Sequence, residues 1–361
     1  MTARSGSNVS IGGDVVGVVD FGIVSSGVDA MNATVAVSGT VTGTTGVRAD
    51  LGAKVMVAGG VIGSKSGIDA GDGTSVTVTG GVIGETCVFT HGNNTTVTVS
   101  DGLTGESCVF AQGNNTNVTV TGDAIGSILA YRGSNVMVTG DVFGSSFGIS
   151  ASCDAKVTVT GDVFGGQHGV LCSGNSIVNV SGSVTGSGTG LVSVHVSDNS
   201  TITVGGDIIG DKGVQINYQS LQDSKGVRVT IDGQIKVKEP KSYIMINSST
   251  PLSFSQSDNQ PTSSKAGYLE YTDGKSYVWV KESLTGTDII PKLSSTLKVS
   301  AQNGHLHVSG LTVGDLWTVF NPYGMVVRQN RATAEEVVLD LPLKGVYIIF
   351  SAGQSVKLGN F

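Results

Sequence analysis

The chain has 361 residues, 54 of them glycine, with a net charge of −7 and only 14% charged side chains. An acidic balance with no basic face excludes a nucleic-acid footprint, and no apolar run is long enough to cross a bilayer as a helix. Glycine at this frequency without a collagen-like triplet points to tight, repeated backbone turns, in a chain long enough for two or more units.

The first residues, Met1-Thr2-Ala3-Arg4-Ser5, hold no apolar stretch of the kind that a secretory leader needs. From Ser7 to Gly210 one pattern recurs. Val76 and Val78 return as Val97/Val99, Val118/Val120, Val136/Val138, Val157/Val159 and Val178/Val180. The spacing is about 21 residues, and a period in that range marks a solenoid. Alternation of Val with Thr describes a half-buried strand, termed here the front strand. Counting eight residues back from each first Val reaches Val47, Ile68, Phe89, Phe110, Ile128, Ile149, Val170 and Val194, read as the inward position of a back strand. A third inward column, Val41, Val61, Val82, Leu103, Ala124, Val142, Val163, Val184 and Ile208, defines a bridge strand between the two. Three short strands per turn predict an all-β fold: a triangular parallel β-helix of about ten coils over residues 1–240, right-handed by the crossover rule.

Corner residues support this independently. Three residues before each first Val stand Asn32, Gly52, Gly73, Asn94, Asn115, Gly133, Asp154, Asn175 and Asn199, the residue types that tolerate positive φ. A second column, Gly39, Gly59, Gly80, Gly122, Gly140, Gly161, Gly182 and Gly206, is read as a second left-handed corner. Cys87 and Cys108 share one phase, so they are expected as stacked free thiols, since disulfide geometry is narrow.

Beyond Asp211 the period fades. Val227, Val229, Ile231 and Ile235 suit one last irregular coil, and all six prolines lie at or after Pro240. A change of this kind is what capping a solenoid end requires. Residues 241–292 read as a cap and linker, with a loop over Leu252–Ala266 and a hairpin, Tyr268 to Val280, turning at Asp273-Gly274. Residues 293–361 hold about seven strand candidates, enough for a small antiparallel β-sandwich.

In this last segment Gly304-His305-Leu306-His307-Val308, Val319-Phe320-Asn321-Pro322-Tyr323-Gly324 and Leu341-Pro342-Leu343-Lys344-Gly345-Val346-Tyr347-Ile348, ending in Val356-Lys357-Leu358, resemble the C-terminal sorting domain of Bacteroidota surface and secreted proteins. The resemblance covers about 65 residues and implies type IX-like export, an extracellular or outer-surface location and a leader absent from this numbering. The repeat region resembles pectate-lyase-type and adhesin-type bacterial β-helices, a likeness of architecture that does not carry function.

Candidate functional residues are few. His91 and Gln112 stand in a column otherwise filled by Ala49, Ala70, Ala130, Ala151, Cys172 and Val196, a departure from the repeat of the sort that marks function. Asn93 and Asn114 are their neighbours, and Glu85 and Glu106 form a stacked pair beside Cys87 and Cys108. Those six are the candidate ligand-binding set, the alternative being a locally widened corner with exposed turn carboxylates. Asp123, Asp141 and Asp162 stack on successive coils and are either a Ca²⁺ site or solvated turn residues. No other cofactor is read, and His168 and His195 are isolated.

Outward positions offer two surfaces. Thr77, Thr98, Thr119, Thr158 and Thr203 make a flat column like the ice-binding face of some antifreeze proteins, broken by Met137 and Asn179. Ile62, Ile83, Ile125, Phe143, Phe164 and Ile209 form an apolar column on the bridge strand, exposed unless a corner bend turns some inward. The expected function is a non-catalytic, glycan-contacting or adhesive surface protein, with a polysaccharide or a host or bacterial surface protein as partner. The alternatives are a β-helix polysaccharide lyase or glycoside hydrolase, and a purely structural stalk.

Overall fold

The protein was analysed as a computed structural model, in which the described residues are 1–17, 25–186, 199–217, 226–247, 251–282, 297–302, 305–311, 313, 316–320, 326–339, 347–351 and 354–358. Val194, His195, Val196, Asn321–Gly324 and Leu341–Val346 lie outside them. The chain divides into two units, Met1–Lys281 and Glu282–Phe361.

The first unit is the expected parallel β-helix. Its front strands, among them Ser75–Val78, Thr96–Val99 and Asn117–Val120, pair in parallel without slippage, Val78 beside Val99 and Val99 beside Val120. All three of these valines are fully buried. A one-residue slip would turn every valine outward, so stacking of identical side chains fixes the register coil after coil. The sheet begins at Asn8–Ile11 and stays parallel to Tyr277–Lys281, where Tyr268–Thr272 adds an antiparallel edge. Arg228–Ile231 is the expected last coil, in register with Thr201–Val204.

Bridge and back strands belong to one sheet rather than two. In Val41–Asp50, Val61–Ala70, Leu103–Gln112 and Ala124–Tyr131 they run as a single bent strand, whereas elsewhere, as in Val142–Gly144 and Phe147–Ser152, a break separates them. The bend falls at irregularities such as that between Thr104 and Ser107.

The first corner column behaves as its composition requires: Asn32, Asn94, Asn115, Asp154, Asn175 and Asn199, like Gly52, Gly73 and Gly133, all have positive φ. The glycine column from Gly39 to Gly206 has a different cause from the one expected, because none of its members is left-handed. A Cβ on Gly140, Gly161 or Gly182 would lie 2.3 Å from Oδ1 of Asp123, Asp141 or Asp162 respectively. Close approach, not backbone handedness, excludes a side chain there.

Another column was not foreseen. Thr74, Thr95, Thr116, Ser134, Ser176 and Ser200 are buried hydroxyls under the turn. Thr95 Oγ1 donates to the Gly71 carbonyl at 2.6 Å and Thr116 Oγ1 to the Gly92 carbonyl at 2.7 Å, so these two hydroxyls tie their coils to the one before, whereas Thr74 Oγ1 donates to Gly71 within its own turn. The four cysteines are free thiols, and Cys87 and Cys108 are both buried, as their shared phase implied. Burial first, and then the neighbouring Cys87, holds the Cys108 thiol well above its ordinary value.

The described residues 244–247 and 251–281 fall within the first unit. Ile244–Asn247 pairs in parallel with Val214–Asn217, and Leu252–Phe254, read from sequence as loop, is a strand antiparallel to 244–246. Tyr271, fully buried, packs against Tyr243 and Phe254 with ring centroids 5.6 and 5.9 Å away. The hairpin turns at Gly274, whose φ of 88° needs a glycine.

The second unit is a small antiparallel arrangement. Lys298–Gln302, His305–Ser309 and Glu336–Leu339 make one sheet, and Leu316–Phe320, Val326–Arg331, Tyr347–Ser351 and Gln354–Leu358 make the other. Leu306, Val308, Trp317, Val319, Leu339 and Ile349 fill its core.

Candidate functional site

His91 and Gln112 are not where counting eight back placed them. Val88, not Phe89, pairs with Ile68, and Val109, not Phe110, pairs with Ile128. The turns after Thr90 and Ala111 contain one more residue than the turn after Ala70, which shifts a fixed count by one. The inward small-residue column therefore runs Ala70, Thr90, Ala111, Ala130, all buried. His91 and Gln112 lie one position beyond it, where the chain leaves the back strand, and Phe89 and Phe110 face outward.

This correction assembles a site. Along the outward column of the back strand, Asp29, Arg48, Asp69, Phe89, Phe110 and Leu129 sit side by side on successive coils. Tyr131 joins from the next column, beside Gln112. Ring centroids are 5.5 Å apart between Phe89 and Phe110, between Phe110 and Tyr131, and between Phe89 and His91. The rings are tilted, forming a continuous ribbed wall across three coils.

A charged cluster borders the wall on its N-terminal side. His91 Nε2 lies 3.1 Å from Asp69 Oδ1, with side chains 39% and 26% exposed. This Asp69 oxygen is sealed from solvent. Burial pushes the Asp69 carboxyl above its ordinary value, His91 and Arg48 oppose that, and Asp50 adds to it. Gly71 creates the space: a Cβ there would lie 2.4 Å from Asp50 Oδ1 and 3.1 Å from His91 Cε1. Two carboxylates and an imidazole thus converge above one glycine, at the foot of an aromatic wall.

The remaining candidates are dispersed. Asn93 and Asn114 link coils: the backbone N–H of Asn93 donates to Asp72 Oδ1 at 2.7 Å, and that of Asn114 donates to Asn93 Oδ1 at 2.9 Å. Glu85 and Glu106 are exposed at the opposite end of the back strand, on the corner leading in from the bridge. Asp123, Asp141 and Asp162 form a ladder in which Oδ1 of each accepts the backbone N–H of the next column member, Asp141, Asp162 and Ser183, at 2.7–2.8 Å. Asp14 and Asp207 do the same for Thr40 and Gln234. Burial raises the Asp141 carboxyl above its ordinary value, the Asp162 N–H opposes this, and the charges of Asp162 and Asp123 reinforce it. Among the described residues, no three His, Cys, Asp or Glu side chains are grouped to hold a metal ion.

Sequence reasoning missed Asp50, Asp69, Phe89, Phe110 and Tyr131 as a group. Val88 and Phe89 are both apolar, as are Val109 and Phe110, so hydrophobicity alone does not say which faces inward. The signal lay in the turn lengths. No helix among the described residues is long and apolar enough to cross a membrane. No protein-family model matches the chain, and no curated protein matches it either.

Proposed function

We propose that the chain is a non-catalytic protein of the cell exterior that holds a glycan against the back face of its β-helix. The Phe89–Phe110–Tyr131 wall carries this reading. Aromatic faces present large apolar area at fixed orientation, and the polar groups at their edge, here His91, Gln112, Asp69 and Asp50, suit hydroxyl-bearing ligands. Because the wall spans successive coils, it favours a chain-like ligand over a compact one. The second unit, through its resemblance to sorting domains, is assigned to export or anchoring, and type IX-like secretion in a Bacteroidota cell belongs to the same reading.

Contact of His91 with Asp69 beside Asp50 favours one alternative, a β-helix lyase or hydrolase acting on an acidic polysaccharide. A glycan array probed with the full chain, run beside a lyase assay, separates the two. The binding reading expects retention of an oligosaccharide that falls at least tenfold in Phe110→Ala and Tyr131→Ala, with no turnover. Turnover lost in His91→Ala would replace it with the enzymatic reading. Binding that both aromatic substitutions leave unchanged would remove the wall as the site.

A further inference from the structure

The front sheet changes character at its C-terminal end. Along one outward column Thr158, Asn179, Thr203 and Thr230 are followed by Trp279. In the column beside it Thr201 is followed by Arg228 and then Tyr277. The Tyr277 and Trp279 rings are half-buried and nearly parallel, with centroids 5.5 Å apart. A cation stands beside each ring. Arg228 Cζ lies 5.3 Å from the centre of Tyr277, and Lys265 Nζ lies 5.6 Å from that of Trp279 and 4.3 Å from that of Tyr268, all within cation–π range. Glu270, only 6% exposed, fixes the indole: its Oε2 accepts Trp279 Nε1 at 3.0 Å and the Ser264 backbone N–H at 2.7 Å.

These two cations are not committed to carboxylates. Among the described residues neither has an acidic side chain within ion-pair distance, and Arg228 donates no hydrogen bond. Lys265 gives one of its three N–H groups to Thr230 Oγ1 at 3.0 Å. The nearby acids are engaged elsewhere: Asp232 accepts the Tyr268 hydroxyl, and Glu270 is buried against Trp279 and Ser264. In a chain of net charge −7 this leaves a local excess of positive charge beside two oriented rings.

We propose that the C-terminal end of the front sheet is a second binding site, for a uronate-containing oligosaccharide. The apolar face of one sugar packs on the Tyr277–Trp279 pair, and its carboxylate takes the guanidinium fork of Arg228. Lys265 supplies the second positive charge, and Thr201, Thr203 and Thr230, all partly exposed, offer hydroxyls to the sugar. That row of hydroxyls favours a saccharide over a nucleic acid, which needs a broader basic face. The site shares no residue with the back-face wall, so it stands independently of that reading.

Isothermal titration calorimetry on the full chain tests the proposal, with an oligogalacturonate and with the same oligomer methyl-esterified. The free acid is expected to bind with a Kd below about 1 mM, and the ester at least tenfold more weakly. Arg228→Gln, an exposed change, and Lys265→Gln are each expected to weaken the free acid at least fivefold with an unchanged urea midpoint. Trp279→Ala is expected to abolish binding, and Phe110→Ala, on the back face, to leave it unaltered. Of the two tryptophans Trp317 is buried in the second unit, so a shift of tryptophan emission on titration reports on Trp279. Absence of binding overturns the proposal, as does equal affinity for acid and ester or indifference to Arg228→Gln. So does tighter retention of single-stranded DNA than of the uronate, or loss of binding in Phe110→Ala, which would move the ligand to the back face.

Discussion

Replacing Asp141 tests what the stacked carboxylates are for. Asp141 Oδ1 accepts the backbone N–H of Asp162 at 2.7 Å, so Asp141→Ala strips a half-buried donor of its partner. Hydrogen bonds to charged groups contribute about 1.5–3 kcal/mol, and solvent access at this corner lowers the expected loss to about 1 kcal/mol. Asp141→Asn should behave oppositely. The amide keeps a carbonyl oxygen for the Asp162 N–H, while it removes a charge that burial and the flanking Asp123 and Asp162 already disfavour. Stability equal to or slightly above wild type is expected, read as the midpoint of urea denaturation by circular dichroism, without calcium and with 5 mM calcium. A ladder that serves as a backbone cap gives the order Asn, wild type, Ala, whether calcium is present or not. If calcium raises the wild-type midpoint and fails to raise that of Asp141→Asn, the capping argument is refuted and a cation belongs on the column.

Two further outcomes follow from the buried columns. Thr116→Val removes the hydroxyl that donates to the Gly92 carbonyl and should cost about 1–2 kcal/mol, whereas Thr119→Val, a half-exposed outward change on the same coil, should fall within about 0.5 kcal/mol of wild type. Urea midpoints of the two variants decide this. Burial pushes the Cys172 thiol from 9.0 up to about 12, opposed by Ser200. Above pH 9 the unfolded chain loses this proton and the folded chain keeps it, so folding weakens as pH rises toward 12. The gap corresponds to roughly 4 kcal/mol at its limit. Thermal melts from pH 8 to 11 should decline less steeply in Cys172→Ala, and parallel slopes would exclude the thiol as a cause.

The parts of the fold that sequence made legible are those where one residue type has one job. Val at alternate positions can only stack inward, and Asn, Asp or Gly three residues before it can only form the left-handed corner, so front sheet and turn were readable residue by residue. Gly39 to Gly206 were readable as a column but not in their cause. A glycine that permits positive φ and one that clears space for an Asp carboxylate on the coil before look identical until the stack is built. Back-strand phase failed for another reason. One extra residue after Thr90 and after Ala111 is absorbed in the turn without disturbing the coils on either side, and two adjacent apolar residues satisfied the inward pattern equally well. His91 was therefore singled out for a place it does not occupy, although the place it does occupy holds the cluster around Gly71.

That failure bears on how such a fold acquires a binding surface. Inward columns are constrained at every coil, because each side chain is packed between two copies of itself. Outward columns are constrained at none, so the sequence Asp29, Arg48, Asp69, Phe89, Phe110, Leu129, Ser150, Leu171 passes from charge to aromatic to small and back to apolar along one straight line. A surface of this kind changes character within the reach of a few side chains while the interior stays the same. The added turn residues serve that freedom. In these two coils the bridge-to-back interval, Val82 to Val88 and Leu103 to Val109, is one residue shorter than Val61 to Ile68, and the longer exit restores the phase, so Val88 and Val109 stay in the core column and Phe89 and Phe110 stand in line with Asp69. A wall of rings thus rises directly beside the carboxylates instead of being swallowed by the core.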